Sequence, residues 1–281
     1  MSGQERVEAA RVRVGFQGEP GAFSEEAALL LFDGPVAVSH RTFRSIFDAV
    51  ARGELDYGLV PLENSQAGSI NETYDLLARG EVHVVGEVFL QVDHALLALP
   101  GTRLADVRRV LSHPQALAQC DEYLASLNVD VVPVYDTAGA AKHVAEDGGP
   151  GDAAVASQRA AELYGLTVLA AAIQTYPSNL TRFAAISSSN EPLGPPDKTS
   201  LLFQLANRPG ALYQCLGPLA LRGLNMSKLE SRPLGQTPWQ YRFYLDVDVA
   251  SDDPAFLEAL GEIGEDVRSL QILGSYPRWR G

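Results

Sequence analysis

Short apolar runs bounded by Gly, Pro, Asn or Asp alternate along this chain with stretches whose apolar residues recur three and four positions apart. Residues 12–16 read as a buried strand, 18–21 as a turn and 22–32 as a helix, the opening of an α/β fold. The pattern then repeats. A strand at 36–38 precedes a helix with Ile46, Phe47 and Val50 on one face; 57–60 is a strand, 70–78 a helix, and 82–99 a long strand region. Beyond it the spacing predicts a strand at 107–111, a helix opening at Pro114, a strand at 129–134, and a helix after Asp136 and Thr137. A strand at 153–156, a helix at 158–164 and a strand at 166–173 follow. Six or more such alternations favour a mainly parallel sheet or two.

Residues 188–198 carry Pro192, Pro195 and Pro196 among polar neighbours and show no periodicity, which marks a linker. After it, a strand at 199–205, a helix at 210–222, strands at 225–230 and 241–249, a helix at 254–263 and a strand at 267–273 spell the ferredoxin-like order βαββαβ. The expected organisation is a tail at 1–10, an α/β domain at 11–187, the linker, and a second domain at 199–281.

With 281 residues, 46% apolar and 20% charged, the chain has the profile of a soluble globular protein of two or three domains. Its longest apolar run, residues 168–173, is too short to span a bilayer, and the first ten residues hold no signal-peptide core, so a cytoplasmic protein is expected. Cys120 and Cys215 fall in different domains and read as buried thiols; neither they nor His40, His83, His94, His113 and His143 show metal-ligand spacing, so no metal is implied. The formal charge of −13 argues against nucleic acid and anionic membranes as partners. An anionic ligand must then be held locally, by a few inward cations and by backbone N–H groups at helix starts. Gly15, Gly18 and Gly21 fit neither the dinucleotide nor the P-loop spacing, and Glu19 would face the phosphates, so no nucleotide cofactor is expected.

Candidate chemistry concentrates at Asn179, Thr181 and Arg182, where an amide, a hydroxyl and a guanidinium stand at the start of a strand at 182–187. Arg is the preferred fork for a carboxylate, and a hydroxyl beside it can donate to, or relay a proton toward, an oxygen of the same ligand. Taken alone, these few residues do not outweigh a loop entering a strand with an exposed Arg. Phe183 reads as a core wall. Glu63 and Asn64 follow a strand and Pro61, where a sharp turn would project them into a crevice at the strand's carboxyl end. Asn64 can orient an anion there; Glu63 either sits protonated or bonds neighbouring backbone. Ser65 and Gly68 precede one helix and Ser112 and His113 another, and any helix start offers N–H groups to a carboxylate. For His113 a cap or core role is favoured over that of a base.

Four blocks stand in order along the chain: 15–18 with 21–25; 58–65 with Gly68 and 75–77; 110–120; and 179–183. Together they resemble the hallmark blocks of prephenate dehydratases. After Lys198 the chain is similar to an ACT regulatory domain, with 207–212 and 230–233 where such dehydratases carry their effector motifs. The resemblance implies an α/β fold: a two-lobed, periplasmic-binding-protein-like catalytic domain followed by a ferredoxin-like βαββαβ ACT domain. Lobe 1 would take about 11–93 and 174–187, lobe 2 about 94–173, with the ligand in the cleft between them. It also implies a carbon–oxygen lyase of L-phenylalanine biosynthesis without a cofactor. Such an enzyme converts prephenate to phenylpyruvate, water and carbon dioxide, takes L-phenylalanine as allosteric effector, and forms a homodimer or homotetramer.

Thr181 matches the family's catalytic threonine, which would give a short hydrogen bond or relay a proton to the leaving oxygen. Arg182, Asn64, Glu63, Ser65, Gln119, Ser112, Asn179 and Phe183 match substrate-binding positions. Asn207, Pro209, Gly210, Ala211, Leu212, Asn225, Glu230, Ser231 and Arg232 match the effector site. Arogenate dehydratase, whose substrate differs by an amino group, and a non-catalytic amino-acid sensor are the alternative readings. Thr175 stands where many relatives carry an acidic residue, which bears on how the 174–180 loop is held.

Overall fold

The computed structural model describes residues 11–234, 240–263 and 267–281; the expected tail at 1–10 lies outside the described residues. The chain opens with β1 (Arg13–Gln17), whose middle residues are buried, and α1 (Phe23–Leu31). β2 (Val36–His40) and α2 (Phe43–Ala51) follow. Thr42 Oγ1 caps α2 by accepting from Ser45 N at 3.2 Å, and Ile46, Phe47, Ala49 and Val50 make its buried face. β3 (Tyr57–Asn64), β4 (Gly68–Ser69), α3 (Asn71–Leu77) and β5 (His83–Gln91) come next.

A second group runs β6 (Ala95–Ala98), β7 (Arg109–Ser112), α4 (Pro114–Gln119), α5 (Asp121–Leu127), β8 (Asp130–Pro133), α6 (Thr137–Asp147), β9 (Asp152–Ala156), α7 (Gln158–Tyr164) and β10 (Thr167–Ala170). Three of its helices, α4, α6 and α7, start at polar caps. His113 Nδ1 accepts from Gln115 N ahead of Pro114, Asp136 Oδ2 from Gly139 N, and Ser157 Oγ from Ala160 N. α7 stops at Gly165, whose φ of 66° is open to glycine and strained for other residues. β11 (Leu180–Ser187) then joins the first sheet, whose order is β2-β1-β3-β11-β5 with β4 on β3; the second sheet is β10-β6-β9-β7-β8.

Both sheets are mixed, which corrects the expectation of mainly parallel sheets. β1 pairs in parallel with β2 and β3, and β7 with β8 and β9, but β6 runs antiparallel to both β9 and β10, and β4 to β3. Apolar periodicity reports which face is buried and is blind to strand direction. A second correction concerns Glu63 and Asn64. β3 continues through Pro61, so these two residues are strand positions paired with Ser69 and Gly68, and the turn comes after them.

Two compact units divide the chain: residues up to 69 with 90–183, and 70–89 with 184–281, so that β5 and β11 are shared. Among the described residues, the first unit includes two apolar clusters. One joins Phe16 and Ala22 to Leu97, Leu111, Ala138 and Ala160; the other gathers Leu96, Val110, Leu117, Cys120 and Val155. Both Cys120 and Cys215 are free and buried, and burial pushes the Cys120 thiol up to about 12.

The second unit is built on β12 (Lys198–Leu205), α8 (Ala211–Leu221), β13 (Met226–Pro233), β14 (Tyr241–Val247), α9 (Pro254–Glu262) and β15 (Val267–Tyr276). Its sheet, β13-β14-β12-β15, is antiparallel throughout and has the ferredoxin-like strand order. Leu201, Phe203, Leu219, Leu245 and Phe256 fill its core. α3 and residues 83–89 of β5 belong to this unit as well. Tyr244 Oη donates to Tyr74 O at 2.7 Å, Arg232 pairs with Asp75 at 3.0 Å, and the buried Lys198 ammonium meets the buried Glu87 carboxylate at 2.8 Å. A side chain at Gly274 would collide with the Val84 carbonyl, so only glycine fits that approach.

Candidate active site

β3 and β11 bring Asn64 and Thr181 together although 117 positions separate them. Asn64 Oδ1 accepts two backbone bonds from the turn that follows it, from Gln66 N at 3.0 Å and Ala67 N at 2.9 Å. Its Nδ2 therefore faces the other way, donating to Thr181 Oγ1 at 2.9 Å and to Asn179 Oδ1 at 2.8 Å. Asn179, fully buried, donates in turn to Gln119 Oε1 at 3.1 Å and to Val92 O at 3.3 Å. Gln119, the last residue of α4, has its Oε1 2.8 Å from His94 Nε2. The result is a chain of amides ending on the threonine oxygen. Because that oxygen accepts from Asn64, its own proton is available to a third group.

Phe183 lies two positions beyond Thr181, the spacing that puts both on one face of β11. Phe183 is also part of the wall of a cavity of about 210 Å³, with Gln17, Phe23, Phe43, Pro61 and Tyr135. Three helices begin at the same wall: α1 at Ala22, Phe23 and Ser24, α4 at His113, and α6 at Asp136 and Thr137. The positive ends of the α1 and α4 dipoles lie at the cavity and favour an anion without a lysine or arginine in the lining, while that of α6 is already met by the Asp136 carboxylate. Asp136 caps α6, and its Oδ2 also accepts from Glu19 N at 2.9 Å, which ties the 18–21 turn to α6. Glu19 itself pairs with Lys142 at 3.1 Å and accepts from Tyr135 Oη at 3.0 Å. Although Tyr135 is 63% exposed, the desolvation of its phenol together with that bond raises the phenol above the usual tyrosine range.

The remaining expected site residues are distributed unevenly. Ser65 holds the loop ahead of Thr181: its Oγ accepts from Leu180 N at 3.0 Å while its N–H donates to Leu180 O at 2.8 Å. Ser112 is fully buried and commits its proton to Val155 O at 2.6 Å, inside the second sheet. Arg182 is buried, but strand alternation turns it to the face of β11 opposite Thr181. Glu63 is half-buried on β3. Thr175 Oγ1 donates to Asp121 Oδ1 at 3.0 Å, so the 174–180 loop is anchored by a partner acid where Thr replaces one.

In the second unit a cavity of about 170 Å³ is lined by Leu205, Asn207, Ala211, Leu212, Tyr241 and Phe243, at the end of α8 where Gly210 adopts a φ of 84°. Asn225 bonds Asp248 at 2.6 Å, and Glu230, Ser231 and Arg232 lie along β13. Ser231 and Pro233 of β13 pair with Phe243 and Tyr241 of the cavity wall, so the β13 residues run beside the 207–212 block.

Reasoning from sequence passed over His94, Phe23, Phe43, Tyr135 and Asp136. His94 is 2% exposed, and burial holds its imidazole below the usual histidine range. It fell inside the single strand region expected at 82–99, where no local pattern set it apart. Among the described residues no cluster of acidic, histidine and cysteine side chains could hold a metal ion, and no helix is long and apolar enough to cross a membrane.

Comparison with known proteins gives a consistent family. The family model for prephenate dehydratase matches residues 14–191. Arogenate dehydratase/prephenate dehydratase 2 of Arabidopsis thaliana is 44% identical over 280 residues, covering 95% of this chain and 73% of the relative. Arogenate dehydratase 2 of Petunia hybrida is 42% identical, covering 96% and 73%. A prephenate dehydratase of Arthrobacter aurescens, solved in complex with L-Phe, matches with a TM-score of 0.86 at 33% identity over 95% of this chain and 90% of that one. GqqA, described as a quorum quenching acylase, matches with a TM-score of 0.87 at 39% identity over 95% and 98%. The Arabidopsis relatives are named as chloroplast proteins, which overturns the expected cytoplasmic location and points to a plastid for those relatives. With the model spanning more than half of the chain and relatives above 40% identity along nearly all of it, this chain belongs to the prephenate dehydratase family of hydro-lyases.

Proposed function

We propose that the chain catalyses the decarboxylative dehydration of a prephenate-type ring with Thr181 as proton donor, and that Asn64 donating to Thr181 Oγ1 is the observation that carries this reading. The ring carboxylate leaves as carbon dioxide, its bonding pair enters the ring, and the ring carbon–oxygen bond breaks. The departing oxygen takes the Thr181 proton and leaves as water; solvent restores the proton. Aromatisation drives the reaction, so the protein's task is to hold the anion and to neutralise charge on the leaving oxygen. Helix starts at the cavity and the aromatic walls Phe23, Phe43, Tyr135 and Phe183 suit an anionic ring.

Prephenate is the principal substrate on this reading, and arogenate the second, favoured by the names of the plant relatives. Incubation of the purified protein with each, followed by identification of phenylpyruvate or phenylalanine, decides between them; turnover of neither leaves the amino-acid sensor. Acyl cleavage, the activity described for GqqA, needs a nucleophile beside a base, whereas the Asn64 amide at Thr181 is a donor and cannot take its proton.

Regulation by L-phenylalanine through an ACT domain at 199–281 completes the proposal. The cavity at Asn207, Ala211 and Leu212 is its binding place, and the L-Phe complex of the Arthrobacter relative supports the ligand. Assembly as a homodimer or homotetramer is part of the same reading and is checked by light scattering.

A further inference from the structure

His94 presents an unresolved polar atom at the heart of the first unit. Its Nε2 stands 2.8 Å from Gln119 Oε1, while Nδ1 is buried without a hydrogen-bond partner. Such an atom costs free energy that packing alone does not return. The direction of every amide in the chain decides which nitrogen carries the proton. Backbone N–H groups of Gln66 and Ala67 fix Asn64 with its oxygen toward them. Asn64 Nδ2 then requires the Asn179 oxygen, and the Val92 carbonyl requires the Asn179 nitrogen. Asn179 Nδ2 in turn requires Gln119 Oε1, so the imidazole must donate to that oxygen. His94 is thereby the neutral Nε2–H tautomer, and Nδ1 is a bare lone pair.

We infer that His94 is a positioning residue of the dehydratase site: its Nε2–H, held on Gln119 Oε1, locks the direction of the amide chain that ends on Thr181 Oγ1. The inference rests on the reading of Thr181 as proton donor. The imidazole is itself held. Phe23 meets it edge to face at a ring separation of 5.4 Å, His94 N donates to Gln174 Oε1 at 3.0 Å, and His94 O accepts from Ile173 N at 3.0 Å. Without the imidazole donor, Gln119 Oε1 keeps only Asn179, and the amide is held by that bond and by two long ones from its Nε2, to Asn64 Oδ1 and Asn179 Oδ1 at 3.4 Å each, a weaker hold against turning over. Once turned, its nitrogen would oppose Asn179 Nδ2 and set that amide against Asn64, the donor of the threonine bond.

The test uses the full chain. ¹⁵N NMR of the ligand-free protein is expected to show His94 as the neutral Nε2–H form at pH 7; an Nδ1–H form overturns the inference. His94→Phe keeps a ring against Phe23 but removes the donor, and kcat should fall on the order of 10²-fold with KM changed by less than about threefold. His94→Gln, whose Nε2 reaches the place of the ring Nε2, should recover at least about tenfold of that loss. If the Phe variant does not fold, His94→Asn, which is polar but stops short of Gln119, takes its place. A packing role alone would make both variants follow their thermal stability with no split between kcat and KM. Retention of kcat within about twofold in the Phe variant, or a Gln variant as impaired as the Phe one, overturns the inference. A wild-type protein inactive on both prephenate and arogenate counts against the dehydratase reading, and the tautomer, read without substrate, still decides the role of His94.

Discussion

Asn64 Nδ2 donates to Thr181 Oγ1 at 2.9 Å, so the threonine oxygen is an acceptor within the protein and a donor only toward a ligand. Thr181→Val, which preserves shape and removes the proton, is expected to lower kcat by roughly 10²–10⁴-fold with a much smaller change in KM. Steady-state kinetics on prephenate and arogenate measure it, and near-normal turnover would remove Thr181 from the mechanism.

Asn64→Asp separates the donor from its shape. The carboxylate still accepts from Gln66 N and Ala67 N, but it can only accept from Thr181 and so draws the hydroxyl proton inward. A loss of kcat of about 10² or more is expected, with a lower Tm as well, because the new carboxylate also faces Asn179 Oδ1. Kinetics paired with a melting curve test this; an active Asp variant contradicts the assigned direction of the bond.

The buried neutral His94 makes stability depend on acid. Its folded-state pKa lies below the ordinary 6.5, mainly through burial, so below that pH the unfolded chain takes up a proton that the folded chain resists. The contribution is present above pH 6.5 and is lost as pH falls toward the folded value. Wild-type Tm should drop more steeply than that of His94→Gln in this window. Parallel Tm curves would show that His94 is not the group responsible.

Ala211 is 4% exposed where α8 begins, and it lines the second cavity. Ala211→Val should crowd that cavity and raise the L-phenylalanine needed for half-inhibition about tenfold or more, with unliganded turnover unchanged. Titration calorimetry with L-phenylalanine, alongside inhibition curves, reads both effects. Equal potency in the variant places the effector elsewhere.

Much of this molecule was readable from its residues, for identifiable reasons. The βαββαβ order rests on strong strand periodicity and on Gly210 and Pro254 at helix starts, and the sheet follows it in full. The opening 12–16 strand and the 158–164 helix fall within a residue of β1 and α7. Direction escaped, because β6 has the same apolar face whether it runs with or against β9. Arg182 escaped for a related cause: adjacency in sequence beside Thr181 is opposition in space once both lie on a strand. His94, Asn64 and Gln119 meet across 25 and 55 positions, distances over which local pattern carries no signal.

The helix starts around the first cavity also set how the protein meets its ligand in solution. Fixed dipoles act at contact range, where dissolved ions barely screen them, while the surplus of 13 negative charges repels an approaching anion over the Debye length, about 10 Å at 0.1 M salt. Moderate ionic strength should therefore quicken encounter and leave the bound complex nearly untouched, so that kcat/KM climbs with added salt. An enzyme that captured its anion with surface lysines would show the reverse.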